Sequence, residues 1–179
     1  MPRSWFPLAI ACLLATACSA QEPPDAPGPA LLFAQGHDGL TAAERQLIFD
    51  GVWLAVDSTG KGFVDQSCGQ PAGAVVSFSD WNGDGNTEVL VIAGNSCTSG
   101  MTGSSAVLFI KDSAGIYQAN LGFPAASADP QSTSNLGYPD LLIGGPGFCF
   151  PLWRWDGKEY QYLKQVPQAP DGCNYPAGG

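Results

Sequence analysis

Two stretches of this chain repeat the same order of features, and that repetition limits the folds open to it. The first runs from Glu88 through an apolar strand and a glycine-containing loop to Cys97, and the second runs from Asp140 to Cys149 in the same nine steps. A predicted hairpin follows each stretch, over residues 107–118 and 152–162. Strand, loop and hairpin repeated in this way predict an antiparallel sheet built from two related units.

A helix is predicted ahead of these strands, over residues 41–52. Thr41 and Glu44 have the spacing of a capping box, in which each side chain bonds to the other's backbone N–H. The helix is expected to cover the sheet with Leu47, Ile48, Val52 and Trp53. The predicted fold class is therefore α+β, mainly β, with one N-terminal helix packed on an antiparallel sheet of about six to eight strands.

The N-terminus has the features of an export signal. Arg3 precedes an apolar run too short to span a membrane, so residues 1–17 are predicted to be a signal peptide. The small residues just before Cys18 are similar to a bacterial lipoprotein cleavage box. That similarity implies a lipid on Cys18 and, with Ser19 next to it, an outer-membrane location. The alternative is simple secretion, or a free periplasmic protein.

Residues 18–30 contain four prolines and are predicted to be an extended tether without helix or packed core. At about 3.1 Å per residue, such a tether would hold a domain on the order of 35 Å from a lipid surface. Residues 31–179 are then predicted to form a single globular domain, which is long enough to have a hydrophobic core.

The charge and the cysteine content of the chain limit which partners it is expected to bind and in which compartment it is expected to fold. Sixteen acidic residues against seven basic ones give a net charge of −9, which argues against nucleic acid as a partner. The exported part has four cysteines, expected to form two disulfides: Cys68, Cys97, Cys149 and Cys173. Of the three possible pairings, the corresponding places of two cysteines in the repeated units favour Cys97–Cys149 with Cys68–Cys173.

The loop before the first repeated strand is rich in oxygen donors. Residues 80–88 read Asp-Trp-Asn-Gly-Asp-Gly-Asn-Thr-Glu, and acids and amides on alternate residues suit a hard cation such as Ca²⁺. With the strand that follows, the pattern resembles the calcium loop of FG-GAP or VCBS-type repeats. The resemblance implies ligation by the side chains of Asp80, Asn82, Asp84 and Glu88 and by the main-chain carbonyl of Asn86. The alternative is a loop without an ion, whose side chains bond to their own backbone.

The second unit is not expected to bind calcium. Its counterpart of the loop spans residues 132–140, where Ser132, Ser134 and Leu136 replace the first three ligands. In the same unit, the segment from Gly144 to Trp155 is dense in glycine and aromatic residues. Alternate rings there either fill the core or form a recognition surface for protein or carbohydrate.

Catalysis finds little support in the sequence. His37 is the only histidine, so a Ser/His or Cys/His pair would depend on it, and the common nucleophile motifs are missing. A weaker possibility is a carboxylate-dependent hydrolase that uses two acids among Asp80, Asp84, Glu88 and Asp140. We therefore expect the protein not to be an enzyme.

The order of signal cysteine, helix, acidic loop and aromatic hairpin resembles small bacterial envelope lipoproteins, a resemblance that brings no established activity. The function expected is a non-enzymatic, lipid-anchored envelope protein whose calcium-stabilised β domain binds a protein or a glycan. The alternative is an inhibitor of a basic hydrolase of the lysozyme type, which would direct a Gly-Pro-Gly loop at the enzyme's cleft.

Overall fold

A computed structural model describes residues 22–174 of the 179-residue chain. The strands in that range are β1 (Leu54–Val56), β2 (Phe63–Asp65), β3 (Pro71–Ser79), β4 (Glu88–Gly94), β5 (Ser105–Lys111), β6 (Tyr117–Pro124), β7 (Ser127–Asn135), β8 (Tyr138–Gly144), β9 (Cys149–Trp155) and β10 (Tyr160–Pro167). The helices are α1 (Pro27–Leu32), α2 (Ala42–Asp50) and α3 (Ser96–Ser99), with a 3-10 turn at Gly100–Thr102. None of these helices is long and apolar enough to cross a membrane.

The strands form two antiparallel sheets. Sheet 1 contains β1 to β6 in chain order, and sheet 2 has the order β10-β9-β8-β7. The mainly β, α+β class is confirmed, but the described residues contain ten strands rather than six to eight. The additional strands were hard to predict because β1 and β2 have three residues each and β7 is almost entirely polar.

The two predicted units occur as neighbouring strands. The first unit forms β4, β5 and β6, and the second forms β8, β9 and β10. Each unit has one further strand before it, β3 or β7, so each is a four-stranded antiparallel meander. The acids that begin the two repeats, Glu88 and Asp140, are both buried, with 2% and 0% of their surface exposed.

Sheet 1 lies between the helices and sheet 2. Along β4, Val89, Val91 and Ala93 belong to the core under α1 and α2, while Leu90 and Ile92 belong to the core shared with sheet 2. Side chains of β5 alternate between the same two cores. Because both faces of these strands are covered, their sequences are continuous apolar runs.

The capping box predicted for α2 is confirmed. The Thr41 hydroxyl accepts the backbone N–H of Glu44 at 3.3 Å, and the Glu44 carboxylate accepts the Thr41 N–H at 2.8 Å. These bonds satisfy N–H groups that have no partner inside the helix, so the helix begins where the sequence predicts it.

The face that α2 buries differs in part from the prediction. Ile48 and Val52 are buried as expected, and Phe49 is buried with them, but Leu47 is 37% and Trp53 61% exposed. Trp53 lies beyond the end of α2 at Asp50 and has a φ of 51°, a left-handed conformation. Its ring therefore does not continue the buried face of α2.

The tether predicted for residues 18–30 is wrong in its second half. The chain forms α1 from Pro27 onward. Proline is tolerated in the first helical turn, because the backbone N–H groups there have no acceptor within the helix. Gly28 and Pro29 are buried, and a Cβ atom at Gly28 would overlap the ring of Phe49. The packed part of the chain therefore begins before residue 31. The predicted signal peptide, Cys18 and residues 19–21 lie outside the described residues.

A buried arginine also holds the segment just before α1 in place. Arg45 of α2 is 6% exposed, and its Nε lies 2.8 and 2.9 Å from the two carboxylate oxygens of Asp25. Its guanidinium also donates to the Leu40 carbonyl and lies 3.8 Å from the Glu22 carboxylate. A buried charge of this kind is tolerated only when it is paired and hydrogen-bonded, so α2 requires the residues ahead of α1.

The disulfides pair differently from the prediction. The bonds are Cys68–Cys97 and Cys149–Cys173, with Cα atoms 6.8 and 4.8 Å apart. Cys68 lies shortly before β3 and Cys97 shortly after β4, and these strands are antiparallel partners. Cys149 begins β9 and pairs in register with the last residue of β10, after which the chain reaches Cys173. Each disulfide thus joins neighbouring strands of one unit rather than equivalent positions of two units.

The Arg45 pair gives a prediction about stability. Asp25→Ala should lower the free energy of unfolding by about 2–4 kcal/mol, because it leaves the buried guanidinium without its main counter-charge. Denaturant melts of the whole chain measure this. Asp50→Ala, which removes an exposed acid from the end of the same helix, should cost no more than about 0.5 kcal/mol. Equal effects of the two substitutions would contradict the role given to Asp25.

Candidate functional site

The acidic loop between β3 and β4 is closed by hydrogen bonds to its own backbone. The Asp80 carboxylate accepts the N–H groups of Gly83, Asp84 and Gly85 at 2.8, 3.1 and 3.0 Å. Gly83 and Gly85 have φ values of 73° and 84°, which favour glycine. The loop therefore turns sharply around the Asp80 side chain.

The next predicted ligands continue this pattern. The Asp84 carboxylate accepts the Asn86 N–H at 2.7 Å and the Asn82 side-chain amide at 2.9 Å. The Asn82 side-chain oxygen accepts the Asp84 N–H at 3.0 Å. The bond from Asn86 and then the bond from Asn82 hold the pKa of Asp84 below its ordinary value, since both stabilise the ionised form.

Glu88 is buried at the base of the loop and bonds both to the loop and to sheet 2. Its carboxylate accepts the Trp81 N–H at 2.7 Å and the Tyr138 hydroxyl at 3.3 Å, so it joins sheet 1 to sheet 2. Burial raises the pKa of Glu88, and the nearby charges of Asp84 and Asp80 add to the increase. Tyr138 is a partner that the sequence did not indicate, because it lies fifty residues away on β8.

The predicted ligands are thus not grouped as a metal site. Within residues 22–174, no three or more His, Cys, Asp or Glu side chains lie together in a way that could hold a metal ion. In the structure, Asp and Asn side chains of the loop accept hydrogen bonds from the loop's own backbone. Calcium binding stays a prediction.

The equivalent acid of the second unit has a cation of its own. The Asp140 carboxylate accepts two bonds from the Arg154 guanidinium, at 2.8 and 2.7 Å, and one from the Thr133 hydroxyl. The bonds from Arg154 lower the pKa of Asp140 despite its burial. This pair lies across β8 and β9, and it explains why an acid is stable at a fully buried position.

Several of the side chains considered for catalysis are held in bonds within the fold. His37 lies on an exposed turn between α1 and α2. The four described cysteines are all in disulfides, so none of them offers a thiolate. Of the four acids considered for a hydrolase, Asp80 and Asp84 hold the loop and Asp140 is paired with Arg154.

The aromatic segment divides between core and surface. Trp155 is buried, and Trp153 stacks on Phe123 with ring centroids 5.0 Å apart, so the alternating tryptophans contribute to the inter-sheet core. Phe148 is 66% exposed in the β8–β9 loop, residues 145–148. The Gly-Pro-Gly sequence predicted a loop there, but alternation alone left the side of Phe148 undecided.

The β8–β9 loop forms one end of the molecule together with the loop after β4. Met101 is 90% exposed there, and a hollow of about 270 Å³ between the two loops is lined by Thr102, Pro146, Phe123 and Trp153, among others. We call this region the disulfide-end surface, because Cys149 also lines the hollow. The acidic loop lies at the opposite ends of the strands, where β4 begins.

A second concavity, the inter-sheet cleft, separates β3 and β4 from β7. It has a volume of about 370 Å³, and its lining includes Ser79, Trp81, Glu88, Leu90, Ile92 and Asp129. The sequence did not predict this cleft, because its two walls come from different sheets.

Calcium binding has a direct test. If the acidic loop binds the ion, calcium should raise the melting midpoint of the whole chain over that in chelator, since a ligand of the native state stabilises it by about 2.7 kcal/mol at a hundred times its Kd. Asp84→Ala should abolish the increase. Asp112→Ala is the matched control, because Asp112 also accepts backbone N–H groups within its own turn. Identical midpoints with calcium and with chelator would disprove the prediction.

The Asp140 pair predicts a pH dependence. Because the folded pKa of Asp140 is lowered, its stabilising contribution is present above the ordinary value of 3.8 and is lost as the pH falls through the folded value. The midpoint of Asp140→Asn should therefore lie furthest below that of the unchanged chain near neutral pH, and the gap should narrow in acid. A gap that is constant with pH would contradict this assignment.

No protein-family model matches this chain, and no curated protein and no solved structure matches it either. The function is therefore inferred from the residues of the chain and their arrangement.

Proposed function

We propose that the protein is a non-enzymatic lipoprotein of the bacterial cell envelope, anchored through Cys18, whose β-rich domain binds a protein or glycan ligand. The outer membrane is the location that Ser19 favours. Bound calcium at the acidic loop would stabilise the domain. The disulfide-end surface is the part of the domain that we assign to ligand binding.

The exposed ring of Phe148 carries this proposal. A phenylalanine that is 66% exposed is unfavourable in water, and large aromatic side chains supply much of the energy of protein interfaces. The loop that carries Phe148 is held in place by two bonds. The Phe148 carbonyl accepts the Gln168 N–H at 2.7 Å, and the next residue is in the Cys149–Cys173 disulfide. A loop held in this way loses little conformational entropy when it binds.

The adjacent hollow adds a polar feature to this apolar surface. The Trp153 indole N–H is buried and has no hydrogen-bond partner, alone among the buried side-chain polar atoms in the described residues. Such a donor costs free energy until an acceptor reaches it. Because Trp153 lines the hollow, a ligand there would provide the acceptor if the ring shifted to uncover this N–H.

A second candidate function uses the same loop. A rigid loop that projects one aromatic ring also suits an inhibitor of a basic hydrolase, and the net charge of −9 would attract a basic enzyme. The acidic loop and the β8–β9 loop lie at opposite ends of the strands. The attraction would therefore come from the overall charge of the domain and not from the acidic loop beside the contact.

Site-specific cross-linking tests the proposal. A photo-crosslinking amino acid placed at Phe148 should form discrete adducts in the producing cell, and the same amino acid at Leu136 should not. Leu136 is the matched control, because it is 67% exposed on the β7–β8 turn at the other end of the strands. Adducts with a basic hydrolase, in a yield that falls with salt, would favour the inhibitor. Equal labelling from the two positions would overturn the assignment of the surface.

A further inference from the structure

The first unit lacks the cation that the second unit supplies to its buried acid. Asp140 and Arg154 face each other across β8 and β9, as the neighbouring pair Leu141 and Trp153 shows. In the first unit the residue opposite Glu88 across β4 and β5 is Ile110, by the pairing of Val89 with Phe109. An apolar side chain therefore stands where the second unit has an arginine.

Glu88 is left without a positive partner. It is 2% exposed, and the described residues form four ion pairs, none of which includes it. Its two hydrogen bonds come from a backbone N–H and a hydroxyl, which are neutral donors. A buried carboxylate is normally paired with a cation, because removing it from water is otherwise costly.

The inter-sheet cleft is the cavity that Glu88 borders. Glu88 and Asp129 both line the cleft, and no lysine, arginine or histidine does. Leu90 and Ile92 provide apolar surface between the sheets, and Trp81 adds an aromatic ring. The cleft thus combines negative charge with an apolar lining, which suits a cation carried on a hydrocarbon chain.

Sheet 1 has six strands and sheet 2 has four, and β3 beside the cleft is partly exposed. Val75, on the same face of β3 as Ser77 and Ser79 of the cleft, is 65% exposed.

We propose that the inter-sheet cleft binds a primary alkylammonium group, with the ammonium against Glu88 and Asp129 and the methylene chain along Leu90 and Ile92. The ligand is an aliphatic amine, either free in solution or as the side chain of a lysine. The assignment is independent of the disulfide-end surface, and it gives Glu88 the counter-charge that Arg154 gives Asp140.

Binding of cadaverine to the whole chain tests the proposal by calorimetry, in chelator so that no metal contributes. Cadaverine should bind saturably, and 1,5-pentanediol, a neutral molecule of the same length, should bind at least about tenfold more weakly. Acetyl-lysine amide with a free side chain is the second probe. If it binds more tightly than cadaverine, the natural source is a lysine of a partner protein, and the reverse order indicates a free amine.

Two conservative variants locate the site. Glu88→Gln and Asp129→Asn should each weaken cadaverine binding by about tenfold, whereas Asp50→Asn on α2 and Phe148→Ala should leave it unchanged. Asp129 is exposed, so its variant tests the site without risk to the fold. Equal affinity for the diamine and the diol, or unchanged affinity in both cleft variants, would overturn the proposal. Failure to bind cadaverine, with a calcium response that Glu88→Gln abolishes, would overturn it and assign the missing charge to calcium.

Discussion

The burial of β4 and β5 on both faces is the constraint on which the rest of this structure depends. Val89, Val91 and Leu108 are essentially inaccessible to water, and each contributes about 1.5–3 kcal/mol by its burial. One face of this pair of strands holds the helices and the other holds sheet 2. The ends of the strands in turn position the acidic loop and the disulfide-end surface, so both candidate sites depend on this core, against which Phe123 and Trp153 of the hollow also pack.

Features determined by neighbouring residues were predictable. The capping box of α2 and the two hairpin units follow from side chains a few positions apart, and all of them form. The packing of residues 22–32 was not predictable, because it depends on a bond between Asp25 and Arg45, twenty residues away, and on a glycine that fits against Phe49. Proline content alone suggested an extended chain, and long-range contacts outweighed it.

The acidic loop illustrates the same limit at a candidate site. The position of the loop and of its oxygen-bearing side chains could be predicted from the sequence. The sequence could not show whether those oxygens bind an ion or accept hydrogen bonds from their own backbone. The direction of Glu88 depends on Tyr138 in the other sheet, and the disulfides depend on which strands are neighbours. Repetition in the sequence matched Cys97 with Cys149, yet Cys97 lies in α3 and Cys149 begins β9, so positions matched in sequence need not touch.

The packing of the segment ahead of α1 also limits how far this domain can stand from a lipid bilayer. If Cys18 carries the proposed lipid, four residue steps separate it from Glu22, whose carboxylate lies 3.8 Å from the Arg45 guanidinium of the domain. Four steps span at most about 14 Å, well short of the reach of a thirteen-residue tether. The domain would then lie against the headgroup layer. It would bind its ligands at the bilayer surface rather than in the open periplasm.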